Sequence, residues 1–156
     1  MGRELAAGAK APNFTLARDG GASVSLKDFK TRNLVLYFYP KVDTPGCTKE
    51  AIAFSGLRAE FAKAETDILG VSADPVAAQD KFISKHKLKI ALGSDESKAM
   101  LQAYGAWGKK SMFGRNYLGV IRKTFLIDGS GRIVRIWAKV RVQGHAEEVL
   151  EAARAL

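Results

Sequence analysis

The sequence predicts an α/β fold, a three-layer sandwich with a central mixed β-sheet and an N-terminal β-hairpin extension. Three observations carry this. Two nearly uninterrupted apolar runs, NLVLYFY at 33–39 and DILGVSA at 67–73, have the character of strands buried on both faces. Segments of helical period alternate with strand-like ones, the pattern of a layered sheet with helices on its faces. Near the C-terminal end, Asp128-Gly129-Ser130-Gly131 separates two further apolar stretches, a hairpin signal that adds antiparallel strands to a parallel core.

Taken in order, Asn13–Leu16 and Val24–Leu26 flank Asp19-Gly20-Gly21 and supply the N-terminal hairpin. The first buried strand ends at Pro40. Phe54, Leu57, Phe61 and Ala64 then recur at helical spacing, which predicts one amphipathic helix from about Pro45 to Ala64. After the second buried strand, Asp74 reads as an N-cap with Pro75 at the first helical position of a helix reaching about Lys87. A short strand near Ile90–Leu92 follows, then a helix from Asp95 to Tyr104 stopped by Gly105. Trp107–Leu118, punctuated by glycine, reads as loop. Val120–Ile127 and Arg132–Ala138 are the paired strands, and His145–Ala155 the last helix. No repeat, low-complexity tract or linker interrupts the chain, so residues 1–156 are expected to form a single domain.

Composition narrows the chemistry. A hydrophobic fraction of 47% with 26% charged residues is that of an ordinary globular chain, long enough to bury a core without a disulfide or metal staple. The one cysteine, Cys47, excludes a disulfide within the chain and a cysteine-rich zinc site. With only His86 and His145 as imidazoles, a histidine-based metal cluster is not expected. No run approaches the ~18 apolar residues of a membrane span, and MGRELAAGAKAPNF lacks the apolar centre of an export signal. A cytoplasmic protein with a reduced thiol and no membrane partner is the expectation.

The informative stretch is YPKVDTPGCT, residues 39–48. Thr44 and Pro45 make an N-cap and N1 pair, which places Cys47 at N3 of the helix. Unpaired N–H groups and the helix dipole favour negative charge there, so the same field favours a thiolate. The junction lies at the C-terminal end of a buried strand, where open α/β sheets place their sites. A lone cysteine is equally often a small buried core residue, and from spacing alone both readings stand.

Pro40, Thr44 and Cys47 match the P-x-x-x-T-x-x-C signature of the peroxiredoxins. The longer string YFYPKVDTPGCTKEAIAF resembles the PrxQ subfamily, also called bacterioferritin comigratory protein. The similarity continues in order through residues 70–72, 104–108 and 119–128. The resemblance implies a thioredoxin-like fold and a thiol-dependent peroxidase for antioxidant defence, reducing hydrogen peroxide and organic hydroperoxides without metal, flavin or haem. It makes Cys47 the peroxidatic nucleophile and Thr44 a hydroxyl that hydrogen-bonds thiolate and peroxide. Pro40 becomes a shield against water, and Arg122 a cation delivered by a later strand. Gly46 is read as allowing close approach of substrate to backbone N–H donors, and Tyr39 as edging the pocket.

The chain departs from the commoner members, which carry a resolving cysteine either where this chain has Ile52 or near Ile83-Ser84. It is therefore expected to work as a one-Cys enzyme, a monomer or weak homodimer, re-reduced by an external thiol: glutathione with glutaredoxin, or thioredoxin. His86, in the charged run Lys85–Lys89, reads as a solvated helix residue, and His145, at the start of the last helix, as structural. Trp107, Phe113 and Tyr117 either pack or contact substrate or partner.

The formal net charge of +9 invites a nucleic-acid reading. Yet nine basic residues against Asp128 alone fall between Trp107 and Arg141, and no nucleic-acid-binding signature accompanies them. The expectation is a local field, able to favour a thiolate and draw in an anionic reductant such as glutathione, with no nucleic-acid partner.

Overall fold

The computed structural model describes residues 5–156. Met1–Glu4, part of the N-terminal segment read as lacking an export signal, lie outside the described residues. The chain runs β1 (Thr15–Arg18), β2 (Ser23–Ser25), β3 (Asn33–Phe38), α1 (Pro45–Gly56), α2 (Arg58–Lys63), β4 (Thr66–Ser72), α3 (Val76–His86) and β5 (Ala91–Ser94). There follow α4 (Ala99–Ala103), β6 (Trp107–Met112), β7 (Arg115–Val120), β8 (Lys123–Ile127), β9 (Ile133–Trp137) and α5 (His145–Arg154). A seven-stranded sheet has the order β2-β1-β5-β4-β3-β8-β9. β3, β4 and β5 are parallel neighbours, whereas β8, β9, β1 and β2 join antiparallel. The sheet is mixed, and the N-terminal hairpin extends it through β1 against β5.

β3 shows why the apolar runs make the centre. Its alternate residues feed two cores, because successive side chains point to opposite faces. Val35, Tyr37 and Tyr39 pack with Phe54 and Ala51 of α1, Phe61 of α2, and Val149 and Leu150 of α5. Leu34, Leu36 and Phe38 pack on the other face with Met100 and Leu101 of α4 and with Tyr104. Three layers result.

The structure corrects several boundaries. The expected helix from Pro45 to Ala64 breaks at Leu57 into α1 and α2. Asp74 is not an N-cap: Pro75 takes that position, while the Asp74 carboxylate accepts from the Val42 amide at 2.9 Å and the Ser72 hydroxyl at 2.7 Å. The helix expected over Asp95–Tyr104 shrinks to α4, because Lys98 sits at φ 65° and Asp95 turns back to accept from the Leu101 amide at 2.8 Å. Trp107–Leu118 is no loop; it belongs to the two-stranded ribbon of β6 and β7.

Candidate active site

β3 delivers the chain to Pro40 at the C-terminal end of the parallel strands, and α1 starts at Pro45 after a loop held from two sides. The Val42 amide is bound by Asp74 at the end of β4. Asp43, at φ 60°, accepts from Lys85 Nζ at 2.8 Å and pairs with His86 Nε2 at 3.1 Å, both near the end of α3. These partners hold the Asp43 carboxyl below its usual range. His86, expected to be simply solvated, thus helps fix the loop that leads into α1.

Thr44 is the N-cap residue, with Pro45 at N1 and Cys47 in the first turn, as the sequence implies. Cys47 is 2% exposed and belongs to the core cluster beneath α1. Its sulfur is not left to apolar neighbours: Arg122 Nη2 donates to Cys47 Sγ at 3.2 Å. The same guanidinium donates through Nη1 to Glu50 Oε1 at 2.5 Å. One arginine therefore bridges a thiol sulfur and a carboxylate three residues apart on one helix face. Contrary to the expectation of a strand over Val120–Ile127, Arg122 lies in the link between β7 and β8.

Glu50 is the residue that sequence reasoning missed. It is 1% exposed, and its second carboxyl oxygen has no protein partner. Burial pushes its carboxyl up to about 7, and Arg122 pulls the other way. The available signal was helical phase, since Cys47, Glu50, Ala51 and Phe54 form the buried stripe of α1.

The other anticipated residues divide. A Cβ on Gly46 would lie 3.3 Å from Arg122 Nη2, so the glycine gives room to the guanidinium, which differs from the expected approach of substrate. The Thr44 hydroxyl donates to the Lys41 carbonyl at 2.9 Å instead of to the thiol sulfur. Pro40 is partly exposed at the start of the loop. Tyr39 is a core ring, 1% exposed, whose hydroxyl accepts from Gln79 Nε2 at 3.4 Å; it does not edge an opening. Below α1, Tyr37 stacks on Phe54 with centroids 4.7 Å apart, and burial holds its hydroxyl well above the usual phenol range. His145, at the start of α5, is buried against Phe54 and Trp137 and pairs with the Thr124 hydroxyl at 2.8 Å. Burial brings its imidazole down to about 4. Among the described residues no three His, Cys, Asp or Glu side chains are grouped to hold a metal ion. What the arrangement offers is a nucleophilic sulfur beside a fixed, oriented cation.

Residues 7–136 match the AhpC/TSA family. Over 147 residues the chain is 42% identical to peroxiredoxin Bcp of Bacillus subtilis, covering 94% of each. The structure of peroxiredoxin Q from Xanthomonas campestris superposes with a TM-score of 0.87 at 42% identity, over 91% of this chain and 90% of the other. A cysteine-to-serine mutant of PrxQ from Xylella fastidiosa superposes with a TM-score of 0.93 at 36% identity, over 99% and 98% of the two chains.

Proposed function

We infer, from the premise that this chain belongs to the AhpC/TSA family and is a thiol-dependent peroxidase of the peroxiredoxin Q group, that Cys47 is the sulfur that reacts with peroxide. The observation that carries this is the 3.2 Å contact of Arg122 with Cys47 Sγ at the start of α1. The Cys47 thiolate attacks one peroxide oxygen in line with the O–O bond. An S–O bond forms as the O–O bond breaks, the attacked oxygen remains with its proton as sulfenic acid, and the other leaves as hydroxide or alkoxide. That anion takes a proton to become water or alcohol. Arg122 supplies permanent positive charge beside both the thiolate and the leaving oxygen. Thr44, with its own proton directed at Lys41, offers lone pairs to the peroxide O–H.

Hydrogen peroxide and organic hydroperoxides are both proposed substrates. The Xanthomonas campestris bacterioferritin comigratory protein, 42% identical, is described with alkyl peroxide reduction activity. With a single cysteine in the chain, an external thiol condenses with the sulfenic acid to a mixed disulfide and water, and a second thiol releases Cys47. Glutathione with glutaredoxin, or thioredoxin, fits that role.

Stopped-flow mixing with one equivalent of peroxide tests the assignment, read by the fluorescence of Trp107 and Trp137 and by mass. A fast phase and a mass gain of one oxygen are expected, both absent in Cys47→Ser. Oxidation no faster than that of a small-molecule thiol would overturn it.

A further inference from the structure

The ribbon of β6 and β7 stands apart from the central sheet, and its surface is unlike the rest of the molecule. Phe113 is 97% exposed, Leu118 64%, Met112 55% and Tyr117 41%. Elsewhere among the described residues, only Ile52 and Leu156 are large apolar side chains so exposed. No Asp or Glu occurs between Ser97 and Ile127, while Lys109, Lys110 and Arg115 all lie on the ribbon.

Register sets where these groups point. Lys109 pairs with Leu118, Lys110 with Tyr117 and Met112 with Arg115. Leu118 and Lys109 therefore share one face, and Met112, Tyr117, Lys110 and Arg115 the other. Phe113 and Gly114 make the tip, at φ 53° and 76°, a two-residue turn with positive φ at both positions. A phenylalanine held there is strained, and almost no burial within the chain offsets the strain. Apolar groups thus surround the tip on both faces, with cations close by.

We propose that this ribbon docks the protein on an anionic lipid surface. Phe113, Met112 and Leu118 enter the boundary between headgroups and acyl chains, while Lys109 and Arg115 bind lipid phosphates. Exposed apolar groups on both faces of the tip, with three cations and no carboxylate on the ribbon, match an anionic bilayer, which encloses an inserted tip from both sides. The expectation of no membrane partner came from the lack of a spanning segment, and no helix of the described residues is long and apolar enough to cross a membrane. Docking at the surface needs none. Lys110 Nζ donates to the Val120 carbonyl at 2.9 Å within the ribbon, which leaves Lys109 and Arg115, among the described residues, as its cations without such a bond.

Flotation of the full chain with vesicles of phosphatidylcholine, alone or with phosphatidylglycerol, tests the proposal. Binding is expected at low salt to the phosphatidylglycerol vesicles only. Lys109→Gln and Arg115→Gln should each weaken it about fivefold, and Phe113→Ser with Leu118→Ser by more than about tenfold. Because these side chains are exposed, the variants should keep the native circular dichroism and vesicle-free peroxide reduction. A Phe113→Trp variant should shift its emission to the blue on anionic vesicles. Three outcomes would overturn the proposal: no vesicle binding at low salt, equal binding to both vesicle types, or binding unaffected by Phe113→Ser with Leu118→Ser. Self-association abolished by that double variant would overturn it too and assign the tip to a second copy. Binding to polyglutamate in place of vesicles would assign it to an acidic protein.

Discussion

Arg122 is held in two directions at once, and that double contact is what a lysine cannot reproduce. Its guanidinium reaches Cys47 through one nitrogen and Glu50 through the other. An ammonium is a compact point charge that cannot span both in a fixed fork. Arg122→Lys should therefore lower the second-order rate constant for peroxide oxidation of Cys47 by about 10²–10³-fold, the scale of losing an oriented charge donor. Stopped-flow fluorescence measures it, and a wild-type rate would remove Arg122 from the chemistry. The place of Cys47 in the first turn of α1 was legible from Thr44 and Pro45, while its proposed role and that of Arg122 came through the resemblance. Glu50 was not. A glutamate following Lys49 in a helix reads as solvated until the phase of Cys47, Ala51 and Phe54 is known to be the buried one. The direction of the Thr44 hydroxyl was equally hidden, since it is set by the path of the loop at Lys41.

Among the elements, the parallel pair β3–β4 forms the floor under α1. In its register Tyr37 lies opposite Gly70, and the absence of a side chain there makes room for the tyrosine ring. A Cβ on Gly70 would fall 2.7 Å from Tyr37 Cζ and 2.8 Å from its hydroxyl oxygen. Gly70→Ala should destabilise the protein by about 1–3 kcal/mol, the usual cost of overpacking a filled core. A lowered urea midpoint with an unchanged slope would show it; an unchanged midpoint would mean that Tyr37 can swing aside. The buried strands were legible because both faces are apolar. The ribbon of β6 and β7 was hidden for the converse reason: beyond Trp107 and Val120 at its base neither face is buried, so its residues do not alternate between apolar and polar. The split of the helix at Leu57 is marked by Gly56, but the apolar spacing of Phe54, Leu57 and Phe61 runs straight across it and outweighs that sign.

For the molecule as a whole, two buried groups act on stability against pH with opposite sign. Glu50 rises from an ordinary 4.5 to about 7, chiefly through burial. Between those values the native state holds more protons than the unfolded one, so this contribution is complete below 4.5 and is lost as pH rises through 7. His145 falls from 6.5 to about 4, again chiefly through burial. There the native state holds fewer protons, so its contribution is complete above 6.5 and is lost as pH falls through 4. The windows overlap between 4.5 and 6.5, where the two slopes oppose each other. Single substitutions should uncover each slope in thermal melts. Glu50→Gln leaves His145 unopposed, and Tm should climb as pH rises across the overlap. His145→Gln leaves Glu50 unopposed, and Tm should fall instead. The double variant should lose both slopes, while slopes of the same sign in both single variants would show that other groups set the acid response. The Glu50 titration also reaches the site. Protonating that carboxyl removes the anion that holds the second arm of Arg122, so the ratio of stopped-flow peroxide oxidation rates at pH 8 and pH 6 should be smaller in Glu50→Gln than in the unsubstituted chain, and an equal ratio would separate Glu50 from the reaction.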